Sequence, residues 1–268
     1  GGLNLLSRLS PEERARGVVA ASTGNHGQSI AYAAREFGCE ARVYMPERAN
    51  PLKVASMERL GARVVFAGAD FDEALAAADR DAAASGAYFI HSANEPSLIA
   101  GVATCTLEIL DAVPDLDVLI VPGGGGSGLA GACLVGKDVN PDLRVIGVQS
   151  TQAPAMRETW RTREFVTTER ADTYAEGLAT RAAWSLPMQI LWRRLDDFLL
   201  VTDAELRQAT LALLETTRLL AEGAGAASLA AAHRVRDELA GRKVAVVLSG
   251  GNLTLDALAQ ALAEERPW

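Results

Sequence analysis

Ser22, Thr23, Asn25, His26 and Gln28 crowd hydroxyls, amides and an imidazole into one short stretch, interrupted only by Gly24 and Gly27. Side chains of this kind hydrogen-bond anions and the polar substituents of a ring. The apolar run Gly17–Ala21 before them predicts a short buried strand, and Ile30–Phe37 after them predicts a helix. The polar stretch therefore falls where a strand delivers a turn into a helix N-terminus. Unpaired N–H groups and the positive end of the helix dipole favour bound anions there. A plain helix cap needs only Ser22 or Thr23; the whole set implies a ligand site.

Three further segments could do chemistry. The apolar strand Val118–Val121 runs through Pro122 into Gly123, Gly124, Gly125 and Gly126, with a helix expected from Ser127. Glycines let backbone N–H groups converge on a phosphate, with the helix terminus behind them. No Gly-Lys-Ser/Thr closes the run, and a GxGxxG register fails at Leu129. Ser249, before Gly250-Gly251-Asn252, follows another strand. It could bond a planar ring lying along the strand ends, or serve ordinary turn chemistry. Glu222, before Gly223-Ala224-Gly225, offers a carboxylate beside small residues. It could lie near a ring or substrate, or be a solvated side chain at a glycine-broken helix junction.

The elements that must position these groups alternate along the chain. Strands are expected at Val18–Ala21, Ala41–Met45, Arg63–Phe66, Tyr88–Ile90, Val118–Val121, Val145–Gln149, Phe198–Val201 and Val244–Leu248. Their continuous Val/Ile/Leu character suits strands covered on both faces. Helices are expected at Pro51–Leu60, Phe71–Ala84, Pro96–Ala112, Ala204–Leu220 and Ser228–Leu239, from apolar residues at three- and four-residue spacing. The alternation predicts an α/β fold with parallel sheets. Ser10-Pro11-Glu12-Glu13 is a well-formed helix start. Gly1–Leu6 instead begins inside a helical pattern, so an upstream piece is expected.

Composition excludes several function classes. A net charge of −8 without a basic run argues against nucleic acid. No apolar run reaches the ~20 residues of a membrane span, and no signal segment opens the chain. A soluble cytoplasmic protein is expected. Cys39, Cys105 and Cys133 are expected to be buried, reduced thiols. His91 and His233 are assigned structural roles, and the tryptophans packing or an interface. The lysines are Lys53, Lys137 and Lys243, and none falls in a site motif.

Taken in order, the motifs resemble the fold-type II pyridoxal-phosphate (PLP) enzymes. Within them they are most similar to the serine/threonine dehydratase (ammonia-lyase) and serine racemase group. The resemblance rests on Ser22–Gly27, Asn50-Pro51-x-Lys53 with Gly61-Ala62, and His91 through Glu95-Pro96 to Gly101. It continues through Gly123–Gly126, Ala175-Glu176-Gly177-Leu178-Ala179, the Glu222 segment and Ser249–Asn252. It implies two α/β domains with open twisted sheets and flanking helices, like the tryptophan synthase β chain, and the cofactor in the cleft. Residues 17–95 would form a small movable domain, and residues 1–16 plus 96–268 the larger, cofactor-binding one.

Carried over residue by residue, the resemblance implies that Asn25 bonds the cofactor's ring hydroxyl and Gly123–Gly126 its phosphate. Ser249 would pair with the pyridine nitrogen, while Gly177 and Glu222 line the ring and the substrate's amino side. Ser22, Thr23, Gly24 and His26 would hold the substrate carboxylate, with Thr23 and Ser22 nearest the reaction. The implied activity converts L-threonine, L-serine or a related 3-hydroxy amino acid to a 2-oxo acid and ammonia, in a protein of homodimeric habit. A 3-hydroxyaspartate ammonia-lyase of the ectoine-utilisation type is the alternative substrate reading.

Three departures qualify the match. The group's Schiff-base lysine stands in Ser-Phe-Lys-x-Arg-Gly, whose last glycine corresponds to Gly1, so the lysine is not in this chain. It is expected upstream; otherwise the chain binds PLP without catalysis. The segment Gln149–Ala155 supplies no carboxylate for the cation site of racemase-like members, so no metal is expected. Thr23 replaces the racemases' serine acid/base, which puts racemisation in doubt.

Overall fold

The computed structural model describes residues 1–263 and 268. The chain divides into two compact units, Gly1–Gly101 and Val102–Trp268. In the first, α1 (Gly2–Leu6) and α2 (Pro11–Arg16) precede β1 (Val18–Ala21), α3 (Asn25–Glu36), β2 (Ala41–Met45) and α4 (Pro51–Arg59). Then follow β3 (Arg63–Phe66), α5 (Phe71–Ser85), β4 (Tyr88–Ile90) and α6 (Pro96–Ala112), within which the division falls. The four strands form a parallel sheet in the order β3-β2-β1-β4.

Strand β1 shows why apolar runs without alternation become central parallel strands. All four of its residues are fully buried. Val18 and Ala20 pack on one face with Ile30, Val43 and Met57. Val19 and Ala21 pack on the other with Ala78 and Ala82 of α5. Burying a valine this completely stabilises by about 1.5–3 kcal/mol, and the adjoining turn inherits a rigid base. Residues 1–16 lie within the Gly1–Gly101 unit. Leu5, Leu6 and Leu9 enter the core around Ile30 and Val43, so hydrophobic contact decides their place. Helix α2 starts as its sequence dictates: Ser10 Oγ accepts from Glu13 N, and Glu13 Oε2 accepts from Ser10 N at 2.8 Å.

The second unit runs β5 (Val118–Pro122), α7 (Ser127–Val139), β6 (Arg144–Ser150), α8 (Ala155–Thr162) and a 3-10 turn at Glu176–Leu178. It continues with α9 (Ser185–Arg194), β7 (Asp197–Val201), α10 (Asp203–Thr217), α11 (Gly223–Arg234), α12 (Arg236–Leu239), β8 (Val244–Val246) and α13 (Leu255–Ala263). Its sheet is parallel in the order β7-β6-β5-β8. Val118 and Ile120 face one core, with the alanines of α11. Leu119 and Val121 face the other, with Leu129 and Met188.

Every expected strand is present, though β8 ends at Val246 rather than Leu248. Two helices begin earlier than their apolar spacing suggests: α3 at Asn25 and α11 at Gly223. Helices α8 and α9 had no counterpart in the sequence reading. Cys39 and Cys133 are buried, and burial pushes the Cys133 thiol up to about 12. Cys105, expected inside, is exposed on α6. Among the described residues, no helix is long and apolar enough to cross a membrane.

Candidate active site

The site residues of the first unit sit where β1 turns into α3. Ser22 is buried, and its Oγ accepts hydrogen bonds from Gly24 N at 3.0 Å and Gly27 N at 2.9 Å. One hydroxyl thus braces the turn and caps the first helical turn, satisfying donors that would otherwise be orphaned. Ser22 is a structural support of the turn. Thr23 and His26 are left differently: among the described residues, their backbone N–H groups donate to none. Both lie at the positive end of α3, where an anion would find them. Asn25, the first residue of α3, is exposed.

The His26 imidazole is not a charged ligand of an anion. Its pKa falls from 6.5 to about 4, chiefly through burial, with His91 adding to the fall and the Ile90 carbonyl opposing it. The ring is neutral at physiological pH, and its Nε2 is buried without a hydrogen-bond partner. Any role of His26 toward a carboxylate therefore rests on its N–H. His91 Nδ1 accepts from Ala93 N at 3.0 Å and Asn94 N at 3.1 Å, closing a turn.

Lys53 was missed. It lies in the first turn of α4, is 3% exposed, and runs alongside Gly24. A Cβ built on Gly24 would stand 3.4 Å from Lys53 Nζ and 3.7 Å from its Cδ and Cε. Nothing in the sequence around it announces this; the proximity comes from α3 packing on α4. The other two lysines also have partners. Lys137 Nζ bonds the Leu143 carbonyl at 2.6 Å and Asp196, and Lys243 Nζ pairs with Asp115.

In the second unit the glycine segments meet backbone to backbone. The loop Gly123–Gly126 joins β5 to α7. A Cβ on Gly124 would overlap the carbonyl oxygen of Gly177, so only glycine permits this approach. Gly177 in turn lies against Ala224. A Cβ on Gly225 would overlap the Gly250 carbonyl, which itself accepts from Glu222 N at 3.1 Å. Gly123–Gly126, Gly177, Glu222 and the segment after Ser249 are thus one continuous assembly beyond the sheet. Glu222 is 7% exposed, which overturns the solvated alternative, whereas Ser249 is exposed.

Two residues that the sequence did not single out hold this assembly. The Asp203 carboxylate accepts from Thr173 Oγ1 at 2.7 Å, Tyr174 N at 3.1 Å and Ser150 Oγ at 3.1 Å. That ties the chain before Gly177 to the end of β6. The Tyr174 ring packs where a Gly223 side chain would otherwise be, and Arg207 stacks over it.

A glycine cradle beside a helix N-terminus, followed by a buried carboxylate and an exposed serine past a strand end, fits a phosphorylated ring cofactor. The chain belongs to the family of pyridoxal-phosphate-dependent enzymes, whose pattern matches residues 1–250.

Within that family it is 41% identical over 258 residues to the L-threonine ammonia-lyase of Thermotoga maritima. The match covers 96% of this chain but 64% of that relative's length. It is 35% identical to the catabolic L-threonine dehydratase TdcB of Escherichia coli, covering 97% of this chain and 80% of the relative. The processed threonine deaminase isoform 2 of Solanum lycopersicum superposes with a TM-score of 0.92 at 28% identity, over 98% of this chain and 77% of that one. The fold is the two-sheet α/β fold of type II PLP enzymes.

Proposed function

We propose that this chain carries the working core of a PLP-dependent ammonia-lyase that converts L-threonine or L-serine to a 2-oxo acid and ammonia. The observation that carries the reading is the contact of Gly124 with Gly177. It closes a cradle that no side chain could enter, at the N-terminus of α7. The names of the relatives supply the reaction class.

In this reading Gly123, Gly124, Gly125 and Gly126 hold the cofactor's phosphate, and Gly177 and Glu222 flank its ring. Ser249 takes the pyridine nitrogen and Asn25 the ring hydroxyl. Bound there, the cofactor supplies the electron sink that lets the bond at Cα be broken. The chain's own contribution is orientation. The N–H groups of Thr23 and His26, with Gly24 between them, hold the substrate carboxylate at the positive end of α3. Thr23 and Ser22 would be the residues of this turn nearest the reaction. A neutral serine at the pyridine nitrogen holds no fixed proton there, which favours prompt loss of the β-hydroxyl. A cytoplasmic setting and homodimerisation belong to the same proposal.

The test is an assay of the full-length protein with PLP and L-threonine, L-serine and threo-3-hydroxyaspartate. A 2-oxo acid from threonine or serine supports the reading, and preference for hydroxyaspartate moves it to the alternative substrate class. No 2-oxo acid from any of the three overturns it.

A further inference from the structure

Both sides of the contact between Gly124 and Gly177 are tied to the last three residues of β6. On the loop side, Gly123 N donates to the Val148 carbonyl at 2.8 Å. On the other side, Ser150 Oγ donates to Asp203, and Asp203 also accepts from Thr173 Oγ1 and Tyr174 N. Thr173 Oγ1 in turn accepts from Ala175 N at 3.2 Å. The Ala175 carbonyl accepts from Leu178 N at 2.7 Å, which closes the turn that carries Gly177. An unbroken series of hydrogen bonds thus runs from Ser150 through Asp203 to the residues on either side of Gly177.

Little else sets where the Gly177 carbonyl stands. Among the described residues, the chain between α8 and α9 has only the 3-10 turn and one isolated bridge, Thr167 to Ala182. Ala175 and Leu178 are buried, but apolar burial is non-directional and does not fix the placement of one carbonyl. Charge-assisted bonds to a carboxylate are short and directional, and Asp203 accepts three. We propose that Asp203 is a positioning residue for the cofactor: through Thr173 and Tyr174 it holds Gly177 against Gly124 and so sets the shape of the phosphate cradle. The inference rests on the reading of Gly123–Gly126 as that cradle, and it adds a carboxylate that acts on the cradle through other residues.

The experiment titrates full-length wild type, Asp203→Ala and Asp203→Asn, each freed of cofactor, with PLP and with pyridoxal, which lacks the phosphate. Asp203→Ala removes all three bonds, and PLP affinity should fall about 10- to 100-fold. Pyridoxal should lose much less, so the preference for the phosphorylated ligand collapses. Asp203→Asn should retain most of it. With its oxygen turned to Tyr174 N, its amide faces two hydroxyls, which can rotate to accept. Thr202→Ala separates positioning from stability. Thr202 caps the same helix, its Oγ1 accepting from Glu205 N at 3.2 Å, so this variant should unfold more easily and keep the wild-type preference. Equal losses for both ligands in Asp203→Ala, or an equal collapse in Thr202→Ala, mark a merely structural role and overturn the inference. Should Asp203→Ala not fold, Thr173→Val, which removes the shortest of the three bonds, carries the same comparison.

Ligand affinity needs no turnover. A preference that collapses in Asp203→Ala supports the inference even if no substrate yields a 2-oxo acid and the lyase reading falls. A wild type that does not prefer PLP to pyridoxal removes the cradle, and the inference with it. Formation of 2-oxo acid with the preference intact in Asp203→Ala overturns the Asp203 inference and leaves the lyase reading standing.

Discussion

The α-carbon of Gly124 and the carbonyl oxygen of Gly177 approach so closely that no side chain fits between them. These residues come from separate parts of the second unit, the β5–α7 loop and the 3-10 turn at Glu176–Leu178. The contact fixes the loop's path, and with it the directions of the N–H groups at the start of α7. A cofactor phosphate held by those groups depends on backbone-to-backbone packing that a single methyl would break.

Gly124→Ala is therefore expected to force the loop and the turn apart. The nearest atom is backbone and cannot swing aside, so the loss should be about 1–3 kcal/mol or more. PLP affinity, read by absorbance titration, should fall at least tenfold. Gly128, four residues on, is the contrasting case. It is exposed in the first turn of α7, with open space where its Cβ would be. Gly128→Ala should raise thermal stability by roughly 0.5–1 kcal/mol through helix propensity. If both substitutions lower the melting temperature alike, steric closure at Gly124 is not the reason for its glycine.

Ser22 gives a second prediction. Its hydroxyl accepts from both Gly24 N and Gly27 N, so Ser22→Ala leaves two donors in a buried turn without their partner. The expected cost is about 1–2 kcal/mol of stability. Ser22→Thr, which keeps the acceptor, should recover much of it. Chemical denaturation of the two variants checks this, and an unchanged midpoint for Ser22→Ala would remove the brace from the account.

Asn25 stands apart from Ser22 in being exposed at the start of α3. Its proposed bond to the cofactor's ring hydroxyl makes a distinct prediction. Asn25→Ala should weaken PLP binding or shift its absorbance while leaving the folding midpoint near wild type. A variant with wild-type cofactor affinity and spectrum removes Asn25 from the site.

The strands were legible because a parallel strand buried on both faces needs nothing but apolar residues, as Val18–Ala21 and Val118–Val121 show. The helix starts at Asn25 and Gly223 were not, because polar and glycine-rich residues have weak helix propensity. Their helicity comes from what surrounds them: Ser22 caps α3, and α11 packs its small residues on the sheet. The glycine loop, Gly177 and Glu222 were legible as motifs, but their mutual contact was not. Local sequence carries no information about which carbonyl a glycine must admit. Asp203 was invisible for the same reason: it lies in the first turn of α10 and matters through partners distant in sequence, Thr173 and Tyr174.

The neutral His26 predicts how stability responds to acid. Burial holds its pKa at about 4 in the folded protein, against an ordinary value of 6.5. Between those values the unfolded chain binds a proton that the folded chain refuses, so protonation favours unfolding. The stabilisation is complete above about pH 6.5 and is lost progressively as pH falls toward 4. The slope approaches about 1.4 kcal/mol per pH unit for one such group. His91 is also lowered by burial and contributes in the same direction. Replacing His26 with Asn should flatten the stability profile between pH 6.5 and 4, whatever it costs at neutral pH. Denaturation midpoints across that range check the sign: a profile of undiminished slope in His26→Asn assigns the acid sensitivity to other groups.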